Sequence, residues 1–357
     1  MKCTIHAYST ALHVSQLYTG FSLLARNGEI NLKQRLSNYS HKGKPCMAHL
    51  GPHALNGLFV ELNDDKVLFY DTSDRCDLYE EALEVSDFYF KRSYLPSAVQ
   101  YGYTSAVFPL GLNYPLYSGM LCRYEWARFL GRTDVFNNFP RGLLTRIAEL
   151  ASIKFLPRAT SMYATPNPDQ EPRVLFIARA WDPDNDPVGL SAERKADRRQ
   201  INEMRARCLT LLKKELGSRF YGGFIRTDYA MDHFKDLLLE NVSISKQRSY
   251  ISLLHDYPIC IATTGLHGSI GWKMGEYVSF SKSIVSERLG YVVPGGFEKD
   301  RNYLEFDTPS LCLEQAMRLV EDKHCRQQML DANWHYYREH LSPDRLILRT
   351  LKIASDF

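Results

Sequence analysis

The sequence predicts an α/β protein built from two Rossmann-like, doubly wound domains facing a cleft. Three observations lead there. The chain has 357 residues, and a single hydrophobic core stops growing at roughly 250–300 residues. Apolar runs of strand length alternate with longer stretches of helical periodicity, the order that builds parallel sheets covered by helices. The alternation breaks over 156–172, where LPRATSMYATPNPDQEP carries four prolines and no apolar periodicity. The expected division is a first domain over 1–155, a linker over 156–172, a second domain over 173–333 and a C-terminal helix over 334–357.

In the first domain, Cys3–Tyr8 reads as a strand. A helix follows from about Leu12 to Arg26, with Leu12, Leu17, Phe21 and Leu24 at helical spacing, and Asn27-Gly28 stops it. Strand-like runs stand at Glu29–Leu36, Leu58–Leu62, Val67–Tyr70, Phe88–Phe90 and Ala106–Leu110, with polar loops such as NDDK (63–66) between them. Helices are expected over 119–130 and 142–155. In the second domain the strand Val174–Ala178 leads through WDPDNDP into a long helix over 191–216, which Gly217 ends. Strands follow at Phe220–Arg226, Ile259–Thr263 and Ser283–Ser286, with helices at about Lys246–Leu254 and Trp272–Phe280. The stretch Ser310–Leu351 reads as helical.

Composition excludes several classes. A chain that is 45% hydrophobic and 24% charged, with apolar patterning throughout, is not disordered. No apolar run reaches the roughly 18–20 residues of a membrane-spanning helix, and MKCTIHAYST has no apolar signal-peptide core. A net charge of +3 argues against a general nucleic-acid partner. The eight cysteines form no C-x-x-C pair, so reduced, mostly buried thiols in a cytoplasmic protein are expected rather than a zinc site or disulfide framework.

The most informative segment is Pro258–Arg288. An apolar strand runs into TTGLHGSIG, and that loop opens a helix. Gly265, Gly268 and Gly271 allow close backbone approach, while Thr263, Thr264 and Ser269 add hydroxyls. The helix N-terminus supplies unpaired N–H groups and partial positive charge, the combination that holds a phosphate or pyrophosphate. Lys273 lies where it can neutralise phosphate charge, and Glu276, three residues on, can accept bonds from ribose hydroxyls. The competing reading is a tight turn that needs glycines, with Lys273 and Glu276 a solvated pair.

EYVSFSKSIVSE, placed after a Gly/Ser loop and before a short strand, resembles the nucleotide-sugar-binding segment of GT-B glycosyltransferases. There a Glu begins a helix of the form E-A-x-A-x-G-x-P-V-V. GLHGSIGWKMGEY, NYLEF (302–306) and NWHYYREHLSP also resemble bacterial glycosyltransferases of cell-surface polysaccharide (lipopolysaccharide or capsule) assembly. The resemblance is firmest over about 173–345 and only architectural before that. It implies a GT-B arrangement, with a donor-binding second domain, an acceptor-side first domain and a final helix crossing back to the first. It places Glu276 on the donor ribose and nominates Arg179, after FIA, for the donor diphosphate. The partners implied are a nucleotide-sugar donor and a glycan or lipid-linked acceptor, at the inner face of the membrane. One departure stands out. Retaining relatives carry two glutamates separated by seven residues, and here the first position is Gly268, with His267 beside it. His267 can serve the phosphate or sugar, or be an ordinary loop histidine.

Other candidates join the site. Lys246 and Arg248 stand at a helix start, where basic residues oppose the dipole; a ligand or a solvated helix end explains them. Arg226 is a similar, weaker case. The basic residues of ERKADRRQINEMRAR (193–207) are interleaved with acids at helical spacing and read as a solvated face. In the first domain, His6 and His13 flank the loop after the first strand, and Asp71 and Asp74 follow VLFY. An inverting transfer needs one such group to take the acceptor proton. Asp71 ranks first because it stands directly at a strand end, with His13 beside it as the second catalytic candidate; helix caps, turns and packed histidines are the alternatives. Lys91 and Arg92 would bind an anionic acceptor or lie on the surface. The segment 139–158 has a basic amphipathic pattern that suits anionic lipid or ordinary domain packing. DPDND (182–186) has a weak claim to a metal, so no metal site and no cofactor are expected, with Arg, Lys and a helix dipole meeting phosphate charge.

Two other functions compete. Glu287, about 20 residues past Gly265, stands where a Rossmann ribose-binding acid would be, which suggests a nucleotide-dependent oxidoreductase or sugar epimerase. However, GLHGSIG is G-x-x-G-x-x-G rather than G-x-G-x-x-G. A non-catalytic nucleotide- or sugar-binding module is the third reading.

Overall fold

The computed structural model describes residues 1–6, 11–35, 40–41, 44–45, 56–99, 105–118, 157–185, 189–241 and 247–357. The chain divides into two compact units. One comprises Met1–Met162, Tyr291–Gly295 and Arg338–Phe357, the other Tyr163–Gly290 and Gly296–Tyr337. The helices expected over 119–130 and 142–155, and the amphipathic pattern up to residue 156, lie outside the described residues.

The first unit runs β1 (Lys2–His6), α1 (Ser15–Arg26), β2 (Asn31–Arg35), a small ribbon of β3 (Ser40–His41) and β4 (Lys44–Pro45), β5 (Gly57–Leu62), β6 (Lys66–Asp71), α2 (Glu80–Leu83), β7 (Phe88–Lys91) and β8 (Ala106–Pro109). Its main sheet has the order β2-β1-β5-β6-β7-β8. The β1–β2, β6–β7 and β7–β8 pairs are parallel, but β5 is antiparallel to both β1 and β6. This sheet is therefore mixed rather than uniformly doubly wound. The cause is local. Asn63 and Asp64 adopt φ of +56° and +60°, and the Asp65 N–H closes on the Leu62 carbonyl at 3.1 Å. Two successive left-handed residues reverse a strand with the twist a hairpin needs, so NDDK is a hairpin turn. Asn63 fixes it to β1, accepting from the Lys2 N–H at 2.9 Å through its side chain.

The second unit runs β9 (Val174–Ala178), α3 (Ala192–Leu216), β10 (Phe220–Phe224), α4 (Asp228–His233), α5 (Gln247–Asp256), β11 (Ile259–Ala262), α6 (Trp272–Ser279), β12 (Ser283–Glu287), β13 (Leu304–Phe306), α7 (Pro309–Glu321) and α8 (Lys323–Tyr336). Its sheet, β10-β9-β11-β12-β13, is parallel throughout. Every residue of β9 and β11 is buried, as a strand covered on both faces requires. Ser191 caps α3 by accepting from the Arg194 N–H, and Gly217 ends it at φ +53°. The C-terminal stretch is not one helix. Asp322 leaves α7 with extended backbone and caps α8 by accepting from the Cys325 N–H. A π-helical turn at Tyr337–Leu341 then leads to α9 (Pro343–Asp356).

Helix α9 belongs to the first unit, so the C-terminal helix crosses back as expected. Leu346, Ile347, Leu351 and Ala354 join Leu17, Phe21, Leu24, Tyr70 and Phe90 in one core. Polar bonds fix the seat: Tyr70 and Thr350 hydroxyls meet at 2.8 Å, Lys66 donates to the Ala354 carbonyl at 2.8 Å, and Gln16 donates to the Leu341 carbonyl at 3.0 Å. Gly20 of α1 lets the helices touch, since a Cβ there would run into the Pro343 carbonyl. Among the described cysteines, Cys3, Cys208, Cys260 and Cys312 are buried and all are free thiols.

Candidate active site

The site follows from the strand order of the second unit. From β9 the chain crosses to β10 on one side, and later to β11 on the other. The C-terminal ends of β9 and β11 therefore diverge, leaving the crevice where open α/β sheets bind ligands. Arg179 follows β9, and Thr263 to Gly271 follow β11.

The second loop is tightly folded. The Gly265 N–H donates to the Ser269 carbonyl at 2.8 Å, and the Ser269 N–H to the Leu266 carbonyl at 3.2 Å. A Cβ on Gly265 would stand 2.7 Å from the Ser269 Oγ, so glycine is required by close approach. His267 is exposed and takes φ +61°, followed by Gly268 at +65°. A left-handed histidine is strained backbone, a feature that concentrates at functional loops. Around Gly268 and Gly271 a Cβ would meet nothing within 4 Å. Gly271 opens α6 without a capping side chain, and no acid stands in the first turn. The helix thus turns the positive end of its dipole to the switch point with no acid to offset it.

Lys273 lies in that first turn. Its ammonium sits 4.7 Å from the centroid of the Tyr250 ring and meets no carboxylate at ion-pair distance among the described residues. Burial lowers its pKa below the ordinary lysine value, Glu276 and Cys260 oppose the shift, and Arg205 adds to it. Glu276 accepts from the Tyr250 hydroxyl at 2.6 Å through one oxygen. Burial and the Glu276 charge hold the Tyr250 phenol well above its usual range, so it remains a donor. Arg179 is exposed, its guanidinium 4.9 Å over the Trp181 ring. Lys273, Glu276, Arg179 and the glycines therefore share one strand-end region.

Thr264 departs from its expected part. Its N–H and hydroxyl both donate to Glu287 Oε2, at 2.6 and 2.9 Å, so its donors are spent inside the protein. The same bonds occupy the acid of the dinucleotide reading. Arg205, which the sequence placed on a solvated face, is buried on α3. It donates to the Thr263 Oγ1 at 2.9 Å, the Arg179 carbonyl at 2.6 Å and the Thr264 carbonyl at 2.8 Å. Helical steps back from buried Leu212 and Cys208 reach Arg205 and Asn202; that stripe is the available signal. Asn202 makes paired bonds with the Trp181 backbone, at 2.8 and 2.7 Å.

In the first unit, Asp71 ends β6 but is fully buried. Its Oδ2 accepts from the Tyr89 hydroxyl at 2.5 Å and the Lys91 ammonium at 2.7 Å, and its Oδ1 from the Ser73 N–H at 2.8 Å. A carboxylate so enclosed is a brace, not a base open to a substrate hydroxyl. Lys91 is fully buried and also donates to the Ser73 hydroxyl at 2.7 Å, and Arg92 is buried too, so neither is a surface residue. Arg92 reaches Asp74 at 2.6 Å and the His13 Nδ1 at 3.5 Å. His13 is half-buried, and burial first, then the Arg92 charge, lower its pKa below 6.5. It is neutral at neutral pH. His6 is packed in the sheet, 3.3 Å from Glu61.

Lys246 lies outside the described residues, as does the side chain of Arg248. In the DPDND loop Asp184 pairs with Lys195 at 2.7 Å, and Arg198 donates to the Asp182 carbonyl at 2.6 Å. Among the described residues no three His, Cys, Asp or Glu side chains cluster as a metal ion would require.

No family model and no curated protein matches the chain. Solved structures show remote likenesses. Anabaena Alr3699/HepE in complex with UDP is 10% identical, with 97% of this chain and 95% of that one covered and a TM-score of 0.41. The C-terminal domain of a glycosyl transferase group 1 family protein (LpcC) from Francisella tularensis is 14% identical, covering 50% of this chain and 95% of that one, with a TM-score of 0.35. Sucrose-phosphate synthase from Thermosynechococcus elongatus is 11% identical over 78% of this chain, with a TM-score of 0.39, and the chain spans 60% of its length. Likenesses this remote identify neither a function nor a substrate.

The Asp71–Lys91 pair makes a direct prediction. Asp71→Asn should destabilise the protein by about 3–5 kcal/mol by leaving Lys91 buried without a counter-charge. The Asp71→Asn/Lys91→Met double variant should recover much of that loss in urea denaturation. A fully stable Asp71→Asn variant would contradict the brace.

Proposed function

We propose that the chain is a glycosyltransferase that holds a nucleoside-diphosphate sugar at the switch point of its second unit. The observation that carries the proposal is Lys273: a half-buried ammonium without a carboxylate at ion-pair distance among the described residues, in the first turn of an uncapped helix, beside a glycine loop. Burying an unneutralised cation is costly, and a diphosphate at the helix N-terminus would offset that cost. Arg179, exposed on the neighbouring loop, can meet the same anion. Glu276 has one oxygen on Tyr250 and another to offer a ribose hydroxyl. The resemblance of EYVSFSKSIVSE to GT-B donor segments gives Glu276 the same part.

Under this reading transfer needs no metal, with Lys273, Arg179 and the helix dipole stabilising the leaving diphosphate. The acceptor is a glycan or lipid-linked sugar, and the setting is bacterial surface-polysaccharide assembly at the inner membrane face. Among the described residues no helix is long and apolar enough to cross a membrane.

Melting-point screening tests the donor site. UDP, GDP or CMP should stabilise the protein, and NAD(P) should not. Lys273→Ala or Glu276→Ala should weaken the binding about tenfold or more; wild-type affinity in both would remove the proposed site.

A further inference from the structure

Arg205 is a buried guanidinium in the middle of a crossover helix, an expensive way to hold a fold. Three of its contacts lie on the two loops that diverge at the switch point: the Arg179 carbonyl on one, the Thr263 hydroxyl and Thr264 carbonyl on the other. We propose that Arg205 is a positioning residue for the donor diphosphate, stitching the loops after β9 and β11 together and turning their oxygen acceptors away from the anion. This rests on the donor reading above.

Electrostatics gives the clamp its purpose. A carbonyl oxygen facing a phosphate is repulsive, and these two strand-end carbonyls are instead bound by one cation. Glu287 completes the arrangement from β12 by accepting both donors of Thr264. The loop is thus held from both sides, its carbonyl by Arg205 and its N–H by Glu287. Burial pushes the Arg205 guanidinium down to about 10, with Glu287 opposing that shift, so it stays charged at neutral pH. Its charge is close enough to Lys273 to lower the pKa of that lysine. Two mutually repelling cations at one switch point favour a polyanion between their fields. Lysine would keep the charge but cannot span three acceptors with a planar fork.

The test compares a phosphate-bearing ligand with its phosphate-free counterpart in the full-length chain. Whichever of UDP, GDP and CMP binds wild type best is titrated against Arg205→Met and Arg205→Lys, alongside the matching nucleoside followed by NMR. Arg205→Met should lose about tenfold or more in nucleotide affinity, with nucleoside affinity little changed, and Arg205→Lys should fall between. Wild-type nucleotide affinity in Arg205→Met, or equal losses for nucleotide and nucleoside, would overturn the positioning role. If Arg205→Met fails to fold, Arg205→Lys and Thr263→Val are read in its place, each expected to show the same selective but smaller loss, and wild-type affinity in both overturns the role. Wild-type protein that binds none of the nucleotides removes the donor reading itself, and the Arg205 role with it.

Discussion

The reversal of strand order at β9 is the constraint on which the second unit's site depends. A parallel strand with one crossover to each side cannot have its following loops covered by a single helix, so its C-terminal end stays open. Everything that points to a ligand is gathered at that opening: the loop after β9 with Arg179, the loop after β11 with its glycines, and the start of α6 with Lys273. The strained His267 belongs to the same few residues. A fold held only for stability has no need of left-handed histidine backbone and an uncapped helix start in one place.

Charge at this opening is arranged unequally. Surface ion pairs elsewhere, such as Lys195–Asp184, are exposed and worth little. The groups at the switch point act differently; Arg205 is buried, and Glu287, Glu276 and Lys273 are half-buried. Arg205 is spent on backbone and side-chain oxygens, Glu287 on the donors of Thr264, and Glu276 half on Tyr250. Lys273 faces the Tyr250 ring, with no carboxylate at ion-pair distance among the described residues. The first unit shows the opposite pattern: Asp71, Lys91, Tyr89 and Ser73 satisfy one another. A closed set of buried polar groups is structural, whereas the proposed donor site is the set that leaves one charge over among the described residues.

Much of the second unit is legible in the sequence, and less of the first. Strands β9 and β11 stand out as short apolar runs, and the candidate phosphate loop as glycines and hydroxyls opening a helix. The hairpin at Asn63–Asp64 is hidden because it has no glycine; its left-handed residues are Asn and Asp, which also suit ordinary loops. Asp71 looks accessible in sequence because a strand end says nothing of the strand beside it. Only the β6–β7 register, which sets Asp71 against Lys91, shows its partner. Arg205 is concealed because it extends an apolar stripe through Cys208 and Leu212 as a charged residue, among neighbours whose interleaved charges read as a solvated face.

The proposed diphosphate supplies a counter-charge that Lys273 has from no carboxylate at ion-pair distance among the described residues, and that exchange of charge is measurable. Calorimetry of nucleotide binding in buffers of different ionisation enthalpy reads it directly through the protons exchanged. Lys273 has a pKa lowered from 10.5 in the free protein, and a bound anion must raise it again. Net proton uptake on binding is therefore predicted as pH rises through the lowered pKa, with affinity that weakens over the same range and loss of that uptake in Lys273→Met. Binding without proton uptake at any pH up to the ordinary lysine range, or unchanged uptake in Lys273→Met, would contradict it.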